Sequence, residues 1–387
     1  MITHAHRTAI SKFCGTLKDL SAVEITSDLA RKMLKPLNIS NDIDSVVLGM
    51  ARQAGAGPNP ARQVQISAKI PNNKTAYTLN MACGSGLLAI SQAAQSIRMG
   101  HNQIVLAGGM ESMTQVPFML DSYRNGYRLG HAKVLDGMYY DGLYCRITDQ
   151  LMGVTAETLA NEYTIDRERQ DEYSFHSHRK YFEALEKDIW SEEIIPLSII
   201  HRKTEIDFKQ DEHPRLGVTV KKMSQLPPVF DDKGSVTAAN SSGITDGSAL
   251  VLMMTKKEAQ QRGFPILATV GPVAEAGVDP KCMGLGPVPA TQKLMKHANV
   301  GIKDIDLVEL NEAFAAQVLA CQKDLAIPDD RLNVNGGSIA LGHPIGCTGA
   351  RIVVTLLHEM KRRSADLGLA SLCISGGQGI SALFGRA

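Results

Sequence analysis

Three observations predict a layered α/β fold that is built from two related halves and carries a long inserted segment. Each half alternates helical stretches with apolar, β-rich runs such as ALVLMMT (residues 249–255), a pattern typical of sheets buried between helices. Two blocks of sequence recur in the same order in both halves. Between the halves, over about 117–244, the chain is less regular and richer in charged and aromatic residues.

The first repeated block is NISNDIDSVVLGMA (residues 38–51), which resembles NVGIKDIDLVELNEA (residues 299–313). In both, a helical stretch precedes Asp-Ile-Asp and an apolar strand. The second block is a helix followed by a strand: CGSGLLAI (83–90) and QIVLAGG (103–109) are matched by GCTGARIVVTLLHEMKRR (346–363) and ASLCISGG (370–377). Chance similarity of short apolar motifs is the alternative, but two blocks in the same order favour a duplicated scaffold.

These patterns divide the chain into three parts. We predict an N-terminal half over 1–116 and 245–267, an inserted segment over 117–244, and a C-terminal half over 268–387. Polar, irregular insertions often carry ligand-binding loops, so we expect the inserted segment to bind substrate. A surface embellishment without function is the alternative.

The bulk composition argues against several classes of protein. The chain has 387 residues, 44% of them hydrophobic, and a formal net charge of +1, so no strong attraction to nucleic acid or a membrane surface is expected. No apolar run approaches the ~18 residues of a membrane span, and the start lacks the apolar region of a secretory signal. The seven cysteines include no CxxC pair, which favours reduced thiols and a cytoplasmic location over disulfides or a zinc site.

Cys83 is the first candidate for chemistry, because it lies just ahead of a helix that we predict to begin near Ser85. The positive end of the helix dipole and free backbone N–H groups favour the thiolate, which is the form that attacks carbonyl carbons. The glycines that follow allow a substrate to come close and leave amides available for an oxyanion. A buried structural cysteine is the alternative.

His343 occupies a similar place in the second half, close to the repeat position equivalent to Cys83. Pro344 restricts the backbone there, and a helix follows at once. If the halves are related, the two helix N-termini meet, and Cys83 faces His343 as an activated nucleophile. The alternative is a packing or capping histidine.

Two further segments place polar or thiol groups at the ends of predicted strands. Cys373 ends an apolar strand before a glycine loop, the position where α/β folds carry active groups, although a small core residue is the alternative. Asn311 and Glu312 follow the strand that starts at Asp306, where they could cap the next helix or position a water. We interpret Cys347, one turn beyond His343, as a packing residue.

Four separate blocks in these segments resemble the thiolase family, and the similarity covers nearly the whole chain. The nucleophile pattern N-x-x-C-[GSA]-S-G is present over residues 80–86, and the NEAFA block over 311–315. GHPIG lies at 342–346 and the C-terminal C-x-x-G-G-x-G block at 373–379. The resemblance implies a thiolase-like layered α-β-α-β-α fold that is duplicated and has an inserted loop domain.

The resemblance also implies a mechanism and its residues. Cys83 becomes acylated by an acyl-CoA thioester, and His343 accepts its proton. Cys373 exchanges a proton with the α-carbon of the second substrate. Asn311 holds a water that forms an oxyanion hole with His343, and the backbone N–H groups of Cys83 and Ser375 form another.

Coenzyme A is expected along the inserted segment. By resemblance, Ser242 contacts the pantetheine and Arg215 the adenine or phosphate end, while Met152 and Met283 line the pocket near the thioester. No metal or redox cofactor is expected; acyl-CoA and CoA are the substrates.

Three positions depart from the family's usual pattern. Ser375 stands where many members have Gly, but only its backbone N–H is required. Leu151 replaces the usual His before Met-Gly, which makes the acyl pocket more apolar. Thr8-Ala9 stands in place of Thr-Pro.

The function implied is reversible acetyl transfer between CoA thioesters, in fatty acid and lipid metabolism, by a homodimer or homotetramer. A decarboxylative ketoacyl synthase of the same superfold is one alternative, and Cys373 argues against it. A non-catalytic acyl-CoA-binding protein is the other, and it would not need Cys83, His343 and Cys373 together.

Overall fold

The computed structural model of the chain describes residues 1–201 and 204–387. Its strands are β1 Ile2–Arg7, β2 Ser11–Lys12, β3 Ser45–Gly49, β4 Thr75–Leu79, β5 Ile104–Ser112, β6 Phe118–Leu120, β7 Val134–Asp136, β8 Tyr144–Cys145, β9 Gln150–Leu151, β10 Leu197–His201, β11 Thr204–Phe208, β12 Thr245–Met254, β13 Thr269–Gly277, β14 Leu307–Leu310, β15 Leu367–Ile374 and β16 Gln378–Gly385. Its α-helices are α1 Ala22–Leu34, α2 Pro60–Ser67, α3 Ser85–Arg98, α4 Met152–Glu162, α5 Arg167–Glu186, α6 Val220–Met223, α7 Lys256–Arg262, α8 Pro287–Ala298, α9 Ala315–Leu325, α10 Ser338–Leu341 and α11 Ile345–Arg363.

Two mixed sheets carry the repeat that the sequence predicts. The first has the order β1-β12-β5-β3-β4, with β2 on β12, and the second has the order β13-β16-β15-β14. In the first sheet β3 runs parallel to β5, and in the second β14 runs parallel to β15. The remaining pairs, apart from β3 with β4, are antiparallel. The repeated strands are thus paired in the same sense in both halves.

Helices α3 and α11 pack against each other between the two sheets. One hydrophobic core combines their apolar residues with strand residues of both sheets, such as Val105 and Leu372. The helices approach so closely that a Cβ on Gly349 would lie 2.4 Å from the Leu87 nitrogen. A Cβ on Gly86 would lie 2.6 Å from the Ala350 nitrogen. Glycine is therefore required on both sides of this contact.

The outer faces of the sheets are covered by the remaining helices. Helices α1 and α2 pack on the first sheet in one core, and α8 and α9 pack on the second sheet in another. Helix α1 begins with a capping box, in which Ser21 and Glu24 bond each other's backbone N–H groups. The five layers confirm the predicted fold class. Among the described residues, no helix is long and apolar enough to cross a membrane.

The segment between β5 and β12 carries α4 to α6 and several two-stranded ribbons. It leaves the first sheet at Ser112 and returns at Thr245 to pair with the strand it left. Its second half is tied to β1 by the fully buried Arg7, which pairs with Glu193 and, at 2.7 Å, with Asp211. The domain boundaries given above stay a prediction.

Candidate active site

A cavity of about 480 Å³ lies where α3, α11, the end of β15 and the inserted segment meet. Nine of the residues singled out in the sequence line it: Cys83, Leu151, Met152, Arg215, Ser242, Met283, His343, Cys373 and Ser375. Asn311 is fully buried and lies beside His343. The structure therefore brings these nine residues and Asn311 to one place, although the two halves and the insertion contribute them from distant parts of the chain; Glu312 lies outside the cavity.

Cys83 sits in a short 3-10 turn, Ala82–Gly84, that leads directly into α3. Helix α3 begins at Ser85, as predicted. Ala82 has a φ of +44°, which is uncommon for a non-glycine residue. The backbone N–H groups of Ser375 and of Cys83 itself lower the pKa of the Cys83 thiol. Amides of both halves thus act on this sulfur.

The expectation that Cys83 favours the thiolate is wrong for this structure. Burial raises the pKa of the Cys83 thiol, and this effect exceeds the lowering by the Ser375 N–H and by the charge of Arg52. The physical reason is desolvation, which penalises the charged form of a group that protein surrounds. Cys83 is therefore a neutral thiol at rest, and it needs a base when it reacts.

His343 is the group placed to serve as that base. Its Nδ1 lies 2.6 Å from the Thr348 hydroxyl oxygen, and that hydroxyl donates to the Pro344 carbonyl at 3.0 Å. Because the hydroxyl proton is used on the carbonyl, Thr348 accepts from Nδ1–H, which leaves Nε2 as the unprotonated nitrogen. Burial lowers the pKa of His343 to about 3, helped by the charges of Arg351 and Arg52. The imidazole is therefore neutral and able to accept a proton.

Asn311 is oriented by hydrogen bonds on both sides. Its Oδ1 accepts from the Ser338 hydroxyl at 2.6 Å, and Ser338 in turn accepts from Arg351 at 3.0 Å. The amide nitrogen of Asn311 lies 3.5 Å from Nε2 of His343. The carboxamide therefore presents its N–H group to Nε2 of His343, the ring nitrogen that Thr348 does not contact.

Cys373 is the penultimate residue of β15 and is 1% exposed. Burial, and then the proximity of Cys83, raise the pKa of its thiol well above the usual value. It packs in a small apolar cluster with Met283, Phe314 and Ala156. Two neutral thiols thus share one cavity, one at the N-terminus of α3 and one at the end of a strand.

The residues assigned to CoA lie on the insertion and on the loops beside it. Ser242 is fixed by its backbone N–H, which donates to the Ala313 carbonyl at 3.0 Å. The Arg215 N–H donates to Nδ1 of the buried His178 at 3.3 Å. Met152 is the first residue of α4, and Met283 is buried in the cavity wall. The backbone that carries these side chains is therefore held in place.

Glu312 does not line the cavity, and the prediction that it caps the next helix is wrong, because no side chain caps α9. Its carboxylate accepts hydrogen bonds from Tyr173 and Ser177 of α5, at 2.8 and 2.7 Å, and from the Ile339 N–H at 3.0 Å. The reason is that α5 of the insertion packs over this position and supplies the hydroxyl donors. Glu312 therefore joins the insertion to the segment that carries His343.

Sequence reasoning missed other residues that shape the site. Thr348 sets the tautomer of His343, and its only signal was a hydroxyl residue in the first turn of the following helix. Arg52, Tyr139 and Phe230 also line the cavity. They lie outside the recognised motifs, and nothing in their spacing marks them.

Comparisons with known proteins agree with this geometry. Residues 1–257 match the family model "Thiolase, N-terminal domain" and residues 264–386 match "Thiolase, C-terminal domain". An acetyl-CoA acetyltransferase of Escherichia coli (strain K12) is 46% identical over 100% of this chain and 98% of its own. A probable acetyl-CoA acyltransferase of Staphylococcus epidermidis is 44% identical with the same coverage.

Solved structures give the same picture. The Bacillus anthracis acetyl-CoA acetyltransferase superposes with a TM-score of 0.97 at 41% identity, covering 100% of this chain and 98% of that one. Human mitochondrial 3-ketoacyl-CoA thiolase in complex with CoA gives 0.95 at 36% identity, covering 100% and 97%.

Proposed function

The chain belongs to the thiolase family and is an acyltransferase, and we propose that it catalyses reversible Claisen condensation of an acyl-CoA with acetyl-CoA through an acyl-Cys83 intermediate. The reverse direction is CoA-dependent thiolysis of a 3-ketoacyl-CoA, acetoacetyl-CoA included. The observation that carries the proposal is the meeting of Cys83, a neutral His343 and Cys373 in one cavity, which Ser375 also lines.

In the first half-reaction, Cys83 Sγ attacks the thioester carbonyl while His343 Nε2 accepts the thiol proton. Negative charge develops on the carbonyl oxygen, and the N–H groups of Cys83 and Ser375 stabilise it. The C–S bond to CoA then breaks, and the CoA thiolate takes the proton from His343. Since the Cys83 thiol and the His343 imidazole are both neutral at rest, neither of these two groups has to be kept charged in a buried site before substrate arrives.

In the second half-reaction, the Cys373 thiol first gives up its proton, and the resulting thiolate removes a proton from the α-carbon of acetyl-CoA. The enolate oxygen is stabilised by a water held on Asn311, and by His343 while its Nε2 carries a proton. The α-carbon attacks the acyl carbonyl, the new C–C bond forms, and Cys83 leaves as a thiolate. The raised pKa of Cys373 suits the reverse direction, because the protonated thiol is the form that delivers a proton to the enolate.

The chemistry uses thiols, an imidazole and amides, so the proposal includes no metal or redox cofactor. Arg215 would contact the phosphate or adenine end of CoA and Ser242 its pantetheine, with Met152 and Met283 beside the thioester. Leu151 adds apolar surface to the acyl pocket. We further propose a homodimer or homotetramer that acts in the cytoplasm in fatty acid and lipid metabolism, with CoA thioesters and no nucleic acid or membrane as its ligands.

Thiolysis kinetics across 3-ketoacyl-CoA lengths test the proposal, with Cys83→Ala as the control. We expect CoA-dependent cleavage that Cys83→Ala abolishes. A preference for the four-carbon substrate would identify an acetoacetyl-CoA thiolase, and faster turnover of six carbons and above a broad 3-ketoacyl-CoA thiolase. Cleavage of no 3-ketoacyl-CoA would refute the proposal, and dependence on malonyl-CoA would favour a ketoacyl synthase instead.

A further inference from the structure

The cavity wall contains a cation that the mechanism above does not use. Arg52 follows β3, and its side chain lines the cavity although only 8% of the residue is exposed. Its Nε is buried without a hydrogen-bond partner. In the part of the chain that the structure describes, no carboxylate oxygen lies within the 4.0 Å of an ion pair with the Arg52 guanidinium. The charge of the buried Glu111 acts on this guanidinium, but no hydrogen bond joins the two groups, and a buried cation without a hydrogen-bonded anion is costly for the fold.

The backbone beneath Arg52 is held firmly. The fully buried Glu111 accepts from the N–H groups of Ala51 and Arg52, both at 3.0 Å, and from the Gly346 N–H at 2.8 Å. These three bonds occupy the carboxylate and join the end of β3 to the first turn of α11. Glu111 thus fixes where the Arg52 side chain starts, and its oxygens are bound to amides instead of the guanidinium.

The guanidinium lies between the reacting groups and the insertion. A Cβ on Gly142 would lie 2.6 Å from Nε and 2.8 Å from Cζ of Arg52, so the Tyr139–Leu143 turn passes directly over it. The positive charge of Arg52 lowers the pKa of both Cys83 and His343. Its charge therefore reaches the place where an acyl group on Cys83 would lie.

We propose that Arg52 selects acyl groups that end in a carboxylate, so that the preferred substrates are CoA thioesters of dicarboxylic acids and their 3-oxo derivatives. This inference rests on the proposed function and names the substrate class of the same site. A guanidinium presents a planar fork of donors that matches a carboxylate with two parallel hydrogen bonds. The walls around it include Leu143, Leu151 and Ile345, which suit the methylene chain but leave the cation unpaired when the acyl group is neutral.

In thiolysis of such a substrate the atoms balance as in the general reaction. Cys83 Sγ gives its thiol proton to His343 Nε2 and bonds to C3 of the 3-oxo chain, the C2–C3 bond breaks, and the acetyl-CoA enolate takes a proton from Cys373. Free CoA then attacks the acyl-Cys83 carbonyl and releases a CoA thioester that ends in a carboxylate. Arg52 takes no part in bond making, and it acts as a specificity-determining residue.

A different role for Arg52 would be to assist every substrate alike by stabilising the Cys83 thiolate. The two roles are distinguished by the ratio of kcat/KM for a substrate that ends in a carboxylate to kcat/KM for one that does not. We compare kcat/KM for thiolysis of 3-oxoadipyl-CoA with that of 3-oxohexanoyl-CoA, which has the same six carbons but no carboxylate. Selection predicts a wild-type ratio of about ten or more, because the charged pair forms in a desolvated site.

Variants locate the effect. Arg52→Leu is expected to lower the ratio by about 10²-fold, and Arg52→Lys by less, because the charge remains without the planar fork. Gly142→Ala keeps an arginine at position 52, but the added methyl group would displace its guanidinium. This variant should therefore also lower the ratio. Arg215→Leu is the matched control, since it removes a cation from the same cavity but should affect both substrates equally.

The outcomes separate the two proposals. A wild-type ratio of one or less, with 3-oxohexanoyl-CoA cleaved well, would overturn the selection of carboxylates and leave the thiolase function standing. An equal loss for both substrates in Arg52→Leu would overturn it in favour of the thiolate role. If wild-type protein cleaved neither substrate, both proposals would fail.

Discussion

The two halves and the inserted segment contribute different kinds of residue to the same cavity. From the halves come Cys83 before α3, His343 before α11 and Cys373 near the end of β15, where the adjoining turns and strand residues are buried. The insertion contributes Met152 and Arg215, and part of it is open to solvent, with Leu129 98% exposed. The reacting atoms are thus held by packed elements, and the insertion supplies contacts to the rest of the substrate.

The difference suggests a division of labour. Chemistry requires groups held within a fraction of an ångström, which buried elements provide, and recognition of a long flexible ligand requires reach. Substitutions in the halves should therefore lower kcat or stability, and substitutions in the insertion should raise KM. The following variants test that division, from the largest expected effect to the smallest.

Removing the imidazole should give the largest loss. His343→Ala is expected to lower kcat about 10³-fold, since general-base catalysis contributes about 10² to 10⁴. Both Cys83 acylation and C–C bond formation should slow, because Nε2 serves each step. Single-turnover acylation and steady-state thiolysis measure the two separately. If only one slowed, the shared role of His343 would be wrong.

Thr348→Val, which keeps the shape but removes the acceptor of Nδ1, should give a smaller loss.

Separating the two central helices should damage the fold as well as the site. Gly349→Ala places a methyl group against the Leu87 backbone, and overpacking of this kind costs about 1–3 kcal/mol. Denaturant unfolding measures the loss. Gly277→Ala is the control, because a Cβ there would approach only the Gly377 oxygen, at 3.9 Å. Equal stability of the two variants would contradict the tight contact between the halves.

A substitution in the insertion should change binding and spare the chemistry. Arg215→Leu is expected to raise KM for CoA thioesters about tenfold, the equivalent of about 1.4 kcal/mol, with little change in kcat. Initial-rate kinetics at varied concentrations of the CoA thioester measure this KM and kcat. A loss in kcat of the same size with KM unchanged would show that Arg215 acts in the chemical steps. It would contradict the assignment of substrate binding to the insertion and catalysis to the halves.

The smallest expected effect is a loss of folding stability at acidic pH. Burial lowers the pKa of His178 to about 4, from the 6.5 expected of an unfolded chain. A depressed histidine pKa means that the unfolded chain binds the proton first, so stability is fully present above about pH 6.5 and is lost as the pH falls toward 4. We expect a loss of about 1 kcal/mol from this group between about pH 7 and pH 5.5. His178→Asn keeps an acceptor for the Arg215 N–H and should flatten that dependence. An unchanged pH dependence in the variant would refute this assignment.

The sequence predicted the layers and the positions of the reacting residues, because helix starts and strand ends leave local signals that the repeat doubles. It could not predict how the groups interact across elements. The Cys83 pKa is set by burial that only the assembled halves create. Glu312 is satisfied by hydroxyl groups of a helix more than a hundred residues away, and the partnerless guanidinium of Arg52 is visible only once the cavity has closed around it.

The central claim is that the two halves meet to make Cys83 the nucleophile. Its most direct test is to mix the protein with acetyl-CoA, quench in acid and locate the acetyl group by peptide mass spectrometry. The account predicts one acetyl group on the peptide carrying Cys83, formed at full extent in Cys373→Ala and slowly in His343→Ala. Acetylation of Cys373 instead, or turnover without any acetyl group on Cys83, would contradict it.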